Sequence, residues 1–267
     1  MKNLPFRLGT TSFIYPDDIL PNIERLKNRV DDIEILFFEV TGPSSLPTES
    51  TLKRIAAIKE ESQLSFTLHT PLDASLASED FARRSSSIEK VCLAIESVHR
   101  IEPYAYILHI YLGDKEKDTP PHDLASWRER ASDSLKKILA RTGVTSRDIC
   151  IESIDYDFSL IEPVVKKLDL SVALDVGHFE RDDRPLEMYL ERYLARSRVI
   201  QWHGVDPTGR DHRSLVHYPK AQTKLLLDSL FNASYQGILT IEVFRESDFE
   251  ESLTLVTQLL KERGYDA

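Results

Sequence analysis

The stretch Ser171-Val-Ala-Leu-Asp-Val-Gly-His178 decides how the rest of the chain is read. Val172 to Leu174 is a short apolar run of the kind that forms a buried strand. Asp175 stands where the run stops, and Gly177 is expected to let the backbone turn sharply before His178. The order strand, acid, glycine, histidine puts two metal-type ligands on one rim of a sheet. One such pair means little, so the weight falls on whether other strands end in the same way.

They do. Phe6–Thr11, Ile33–Phe38, Ser65–Thr70, Tyr104–Ile110, Ile149–Ser153, Val199–Gly204 and Ile238–Val243 read as seven further strands. Helical patterns separate them. The first carries Ile23 and Leu26, with Val30 a turn later, and the second runs from an N-cap at Thr48 to about Ser62. Ile88, Val91, Ile95 and Val98 share one face of the third. A helix from about His122 aligns Leu124, Trp127, Ala131, Leu135 and Ile138, and others span roughly Ser159 to Lys167 and Leu186 to Arg196. Leu225, Leu226 and Leu230 mark the next, and Leu253, Val256 and Leu260 the last. Eight strand-then-helix units predict a single (β/α)8 barrel, because closure gives the last strand a neighbour. No linker-like stretch divides the chain, so residues 1–267 are expected to form one domain, with Asp206 to Pro219 as a loop on the site side.

Composition narrows the function classes. A net charge of −10 argues against nucleic acid as a partner, since phosphate-backbone binding is carried by Lys and Arg. The two cysteines, Cys92 and Cys150, lack CxxC spacing and support neither a disulfide framework nor a zinc-finger site. No signal-peptide pattern or 18-residue apolar run occurs, so the expectation is a cytoplasmic protein without a membrane partner.

The C-terminal ends of barrel strands share one face, where functional side chains gather. His69, His109, Glu152, Asp175, His203 and Glu242 fall at those ends, His178 lies just past one, and the strand-seven loop adds Asp211 and His212. Of eight histidines, five fall on this rim, whereas His99 and His122 fall in helical segments. Unpaired carboxylates within apolar strands are costly to bury, and shared cations remove that cost. Imidazole and carboxylate without thiolate suit Zn, Mn, Fe or Co. Nine ligands exceed one ion's coordination, so two or three divalent ions are expected. Such clusters are suited to holding a phosphodiester and stabilising its leaving oxygen.

This residue set, with Asp175-x-x-His178 at its centre, resembles the xylose-isomerase-like barrel superfamily, which joins sugar isomerases and epimerases to endonucleases of the endonuclease IV type. The endonuclease branch implies three ions. His69, His109 and Glu152 would hold one, and Glu152 would bridge to a second held by Asp175, His203 and Glu242. The third would take His178, Asp211 and His212. The adjacent pair Asp211-His212 departs from the superfamily's usual Asp-x-His spacing, which makes His217 an alternative ligand. The isomerase branch generally needs only the Glu, Asp, His and Glu of strands five to eight, so His69 and His109 favour the hydrolytic branch.

Three segments carry a finer resemblance. Gly9-Thr-Thr-Ser-Phe-Ile-Tyr-Pro-Asp-Asp-Ile-Leu-Pro-Asn22, Val30-Asp-Asp-Ile-Glu-Ile-Leu-Phe-Phe-Glu39 and His203-Gly-Val with Asp211-His-Arg-Ser-Leu215 resemble the cobamide-remodelling phosphodiesterase family (CbiR). That resemblance implies a small-molecule corrinoid (cobamide) substrate, cleaved at the phosphoester of its nucleotide loop into cobinamide phosphate and an α-riboside. Glu152 and Glu242 would be the catalytic carboxylates. Thr11, Phe13 and Tyr15 in the front loop, with Tyr111, would shape the substrate entrance. Arg213 and Arg245 would hold a phosphate or amide groups, unless a local acid such as Glu246 or Asp248 pairs with them. The competing expectation is a metal-dependent sugar isomerase or epimerase in which Glu152 and Glu242 transfer protons. A monomer or homodimer is expected.

Overall fold

A computed structural model of the chain describes residues 4–112 and 123–265. The chain begins β1 (Arg7–Thr11), α1 (Ile19–Leu26), β2 (Asp32–Leu36), α2 (Glu49–Ser62), β3 (Ser65–His69) and α3 (Phe81–Val98). It continues β4 (Ala105–Leu108), α4 (Leu124–Thr142), β5 (Ile149–Glu152), α5 (Glu162–Lys167), β6 (Ser171–Asp175) and α6 (Val176–Arg181). It ends α7 (Leu186–Tyr193), β7 (Ser197–Trp202), α8 (Lys220–Asn232), β8 (Ile238–Ile241) and α9 (Glu246–Glu262). The eight strands close into a barrel in sequence order, β1 to β8, as the alternation predicts. Nearly every strand residue is buried, because helices cover the outer face and side chains fill the inner one. Among the described residues, no helix is long and apolar enough to cross a membrane.

Contacts group the chain into two compact units. The first comprises Met1–Ile35, Ala57–Ser65 and Leu174–Ala267, and the second Leu36–Ala56 and Phe66–Ala173. In the first, β1 pairs in parallel with β2 (Gly9 opposite Asp32) and with β8 (Gly9 opposite Thr240), and β8 pairs with β7 (Ile238 opposite Val199). In the second, β4 lies between β3 and β5, with Thr67 opposite Ala105 and Tyr106 opposite Ile149, and β5 continues to β6 with Cys150 opposite Ser171. Val91, Ile95 and Val98 of α3 and Trp127, Ala131, Leu135 and Ile138 of α4 are buried, as their spacing predicts.

Helix ends differ from the sequence expectation in physically simple ways. The helix expected from about His122 starts at Leu124, because the Asp123 carboxylate accepts from the Ala125 and Ser126 N–H groups; His122 lies outside the described residues. The segment Leu186 to Arg196 is α-helical only to Tyr193, and its last three residues tighten into a 3₁₀ turn. The short helix α6 was not anticipated, and it carries His178.

The loop between β1 and α1 is held by one buried side chain. Asn22 Oδ1 accepts from the Tyr15 N–H (2.8 Å), and Nδ2 donates to the carbonyls of Tyr15, Asp17 and Asp18 (3.1 Å each). Replacing it strands buried backbone groups that have little access to water. Asn22→Leu is expected to destabilise the fold by about 2–3 kcal/mol, read from urea unfolding midpoints at constant m value.

Candidate metal centre

The candidate ligand side chains occupy equivalent places on different strands. His69, Glu152 and Asp175 are the last residues of β3, β5 and β6, while His109, His203 and Glu242 are the first residues after β4, β7 and β8. All are buried except His109, which is 11% exposed. Each compact unit contains a group whose ligand atoms lie within 4.8 Å of one another: His69, His109 and Glu152 in the second unit, and Asp175, His203 and Glu242 in the first.

In the group His69–His109–Glu152 both imidazoles are oriented by the atoms behind them. His69 Nδ1 lies 3.0 Å from the Thr70 carbonyl, which can only accept, so Nδ1 carries the proton. The Tyr111 hydroxyl donates to the Leu72 carbonyl (2.8 Å) and therefore accepts from His109 Nδ1 (2.7 Å). Both rings thus turn Nε2 toward the same oxygen, Glu152 Oε2, at 3.0 and 2.8 Å. With Nδ1 protonated, each Nε2 meets that oxygen directly only by donating a second proton, and a cation between ring and carboxylate would do the same work from the Nε2 lone pair. Burial opposes ionisation of Glu152, but His109 and His69 outweigh it and hold the carboxyl well below the usual range. The donor set and its orientation fit a divalent ion.

The group in the first unit is built around α6. Asp175 caps this short helix, its Oδ1 accepting the His178 N–H at 2.9 Å. Gly177 is helical rather than the site of a sharp turn, which corrects the sequence reading. A Cβ there would lie 2.3–2.4 Å from three atoms of the His203 ring, so glycine is required for the imidazole to pack on the helix backbone. His203 Nε2 is buried without a hydrogen bond, 3.2 Å from Asp175 Oδ1, and Nδ1 lies against the His212 N–H (3.0 Å) and the Gly204 carbonyl (3.3 Å). Burial disfavours charge on His203, yet Asp175 outweighs it and raises the pKa above the ordinary imidazole value. The field that favours a proton there also favours a metal ion.

The loop after β7 completes the surroundings. Gly204 and Arg213 form an antiparallel bridge that brings Asp211 and His212 back toward β7. His212 adopts a left-handed backbone (φ 51°), costing about 1–2 kcal/mol for a residue with a Cβ, and thereby aims its N–H at His203. Burial, and then the charge on His203, push its pKa down to about 4, so His212 is a neutral imidazole at neutral pH. Asp211 Oδ2 lies 4.0 Å from His178 Nε2 but accepts from Arg181 Nη1 at 2.9 Å. His217, the alternative third-ion ligand, is exposed and belongs to no ligand group among the described residues.

The expected substrate contacts are distributed differently. Thr11 is fully buried and donates its hydroxyl to the Val243 carbonyl (2.9 Å), so it ties β1 to the end of β8 instead of facing a substrate. Tyr15 is buried with Arg25 stacked over its ring, whereas Phe13 is half-buried. Tyr111 orients His109. Arg213 is paired with Asp206 (3.3 Å) and Asp248 (3.5 Å), the local-acid alternative, and Arg245 is exposed at the start of α9. Sequence reasoning missed Arg181, whose signal was its i+3 spacing from His178 on an unrecognised helix. Glu34, a buried carboxylate within β2, was also missed as a site residue; it was read as part of an apolar strand and of the Val30–Glu39 segment of resemblance.

Two substitutions test the supporting contacts. Tyr111→Phe removes the acceptor for His109 Nδ1–H and is expected to weaken metal binding about 10–100-fold, measured by competition with a chromogenic chelator. Gly177→Ala should displace the His203 ring and lower metal content, measured by elemental analysis of folded protein. Unchanged affinity in the first or full content in the second would refute those roles.

Residues 29–262 match the family model described as xylose isomerase-like TIM barrel. No functionally curated protein matches the chain. Similar solved structures include a D-tagatose 3-epimerase-like protein (17% identity, TM-score 0.76, covering 96% of this chain and 97% of that one). The 3-keto-D-glucoside 4-epimerase YcjR from E. coli is 18% identical (TM-score 0.72, 96% and 99% covered). Endonuclease IV from Thermus thermophilus is 17% identical (TM-score 0.70, 96% and 99% covered). With eight strands closed in sequence order, acids and imidazoles at their ends and a family match over most of its length, the chain belongs to the xylose isomerase-like TIM barrel family.

Proposed function

We propose that this protein is a metal-dependent phosphodiesterase acting on the nucleotide loop of a cobamide, releasing cobinamide phosphate and an α-riboside. The observation that carries the hydrolytic half is the oriented group His69–His109–Glu152, present in addition to Asp175, His203 and Glu242. Proton transfer on a sugar needs acids and bases at strands five to eight and gives no use for two more imidazoles held in fixed tautomers. Choice of a corrinoid rests on the three segments of resemblance, including the loop that Asn22 ties down.

His69, His109 and Glu152, and Asp175, His203 and Glu242, would hold divalent ions, which would supply Lewis acidity for phosphodiester hydrolysis when bound. The chain's own residues set the conditions for that chemistry. Thr70 and Tyr111 hold the proton on Nδ1 of His69 and His109, keeping each Nε2 directed at Glu152. Asp175, through its cap on α6, fixes the backbone on which His203 packs. Burial keeps His212 a neutral imidazole near pH 7. With a net charge of −10, attraction of a phosphodiester depends on local cations, and the exposed Arg245, three residues beyond Glu242, is available to it.

Protein loaded with Zn, Mn, Fe or Co is expected to convert a cobamide to cobinamide phosphate and riboside, followed by absorbance and mass spectrometry. Chelation should abolish conversion and metal should restore it. Asp175→Asn, which keeps an oxygen for the helix cap but removes the charge, should eliminate turnover with little change in stability. No conversion with any of the four metals, together with deuterium exchange from solvent into a ketose, would replace this reading by epimerisation.

A further inference from the structure

The geometry points to Arg181 as a fixed cation that closes a third donor set against metal, so that the chain binds two divalent ions and not three. This rests on the reading of both groups above as ion sites. Donor atoms of His178, His203 and His212 also lie within 4.8 Å of one another. His203 has little left to contribute to such a set, since Nδ1 faces the backbone of Gly204 and His212 and Nε2 faces Asp175. What remains is His178, His212 and a carboxylate to offset the charge of a dication. Asp175 Oδ2 is 3.4 Å from His178 Nε2 and Glu242 Oε2 is 3.6 Å from His212 Nδ1, but both carboxylates belong to the group with His203; the carboxylate outside that group is Asp211, and Arg181 engages it.

Arg181 follows His178 by three residues on α6, so one helix delivers both an imidazole and a guanidinium to the same oxygen, Asp211 Oδ2. The imidazole Nε2 is 4.0 Å from that oxygen and the guanidinium nitrogen 2.9 Å. Asp182 grips the guanidinium side-on, with Nε to Oδ1 at 2.8 Å and Nη2 to Oδ2 at 3.2 Å, and Arg184 holds Asp182 in turn at 2.5 Å. This forked, charge-assisted arrangement makes the guanidinium a rigid part of the loop rather than a mobile surface chain. Its charge does not titrate in the working range of pH, and it repels a dication approaching the carboxylate it already neutralises.

Metal stoichiometry tests the inference independently of catalysis. The purified chain is loaded with Zn²⁺, freed of excess by gel filtration and analysed for metal per chain by mass spectrometry. Two ions are expected in the parent protein and in Arg181→Lys, which keeps the charge. Arg181→Met, a change on a partly exposed side chain, should raise the count toward three, and the double variant Arg181→Met/Asp211→Asn should return it to two. Three ions in the parent protein, or two in a folded Arg181→Met variant, would overturn the inference while leaving the two-group reading intact. A chain that takes up no metal would remove that reading and this inference with it.

Discussion

A buried carboxylate must be offset by positive charge or strong donors, and this barrel places one at or just past the ends of three of its strands. Glu152, Asp175 and Glu242 are at most 4% exposed. In a medium of low polarizability such groups would unfold the sheet or take up protons unless cations accompany them. The imidazoles of His69, His109 and His203 supply part of that compensation, and a metal ion supplies more than a proton can. The polar strand ends, the glycine on α6 and the returning loop after β7 all follow from that requirement.

Support for the candidate ligands comes from groups just behind them. A carbonyl after β3 fixes one imidazole tautomer, and a tyrosine hydroxyl committed to the Leu72 carbonyl fixes another. Gly177 admits the His203 ring by lacking a Cβ, and His212 accepts a left-handed backbone to present its N–H. Strain and close packing of this kind persist where the surrounding structure over-determines them, which is characteristic of sites that must hold several groups in register.

Charge around the centre is handled locally. Although the chain carries ten more acidic than basic groups, its arginines near the ligands are not interchangeable. Arg213 is taken up by Asp206 and Asp248, and Arg181 by Asp211 and Asp182, so both act on the shape of the loop after β7. Arg245 stands outside such a network at an exposed helix start. An acidic net charge thus does not fix the field inside the site, because the field that matters is the one within a few ångströms of the groups concerned.

Eight strands, their parallel order and the ligands at their ends were legible in the chain before any coordinates, because alternation of apolar runs and helical faces is a local property. A carboxylate at the end of such a run, as at Asp175, is equally local. The residues that set the tautomers and the charge balance were not legible. Tyr111 looked like a pocket wall and Thr11 like a substrate contact, since neither spacing nor residue type shows which backbone carbonyl a hydroxyl will meet. Gly177 was read as a turn residue, when its value lies in the approach of an imidazole 26 residues away along the chain. Arg181 went unnoticed because its partner Asp211 comes from another loop. Sequence periodicity determines where a side chain stands on its own element; only the tertiary fold determines what stands opposite it, and it is the opposing group that sets protonation, orientation and charge.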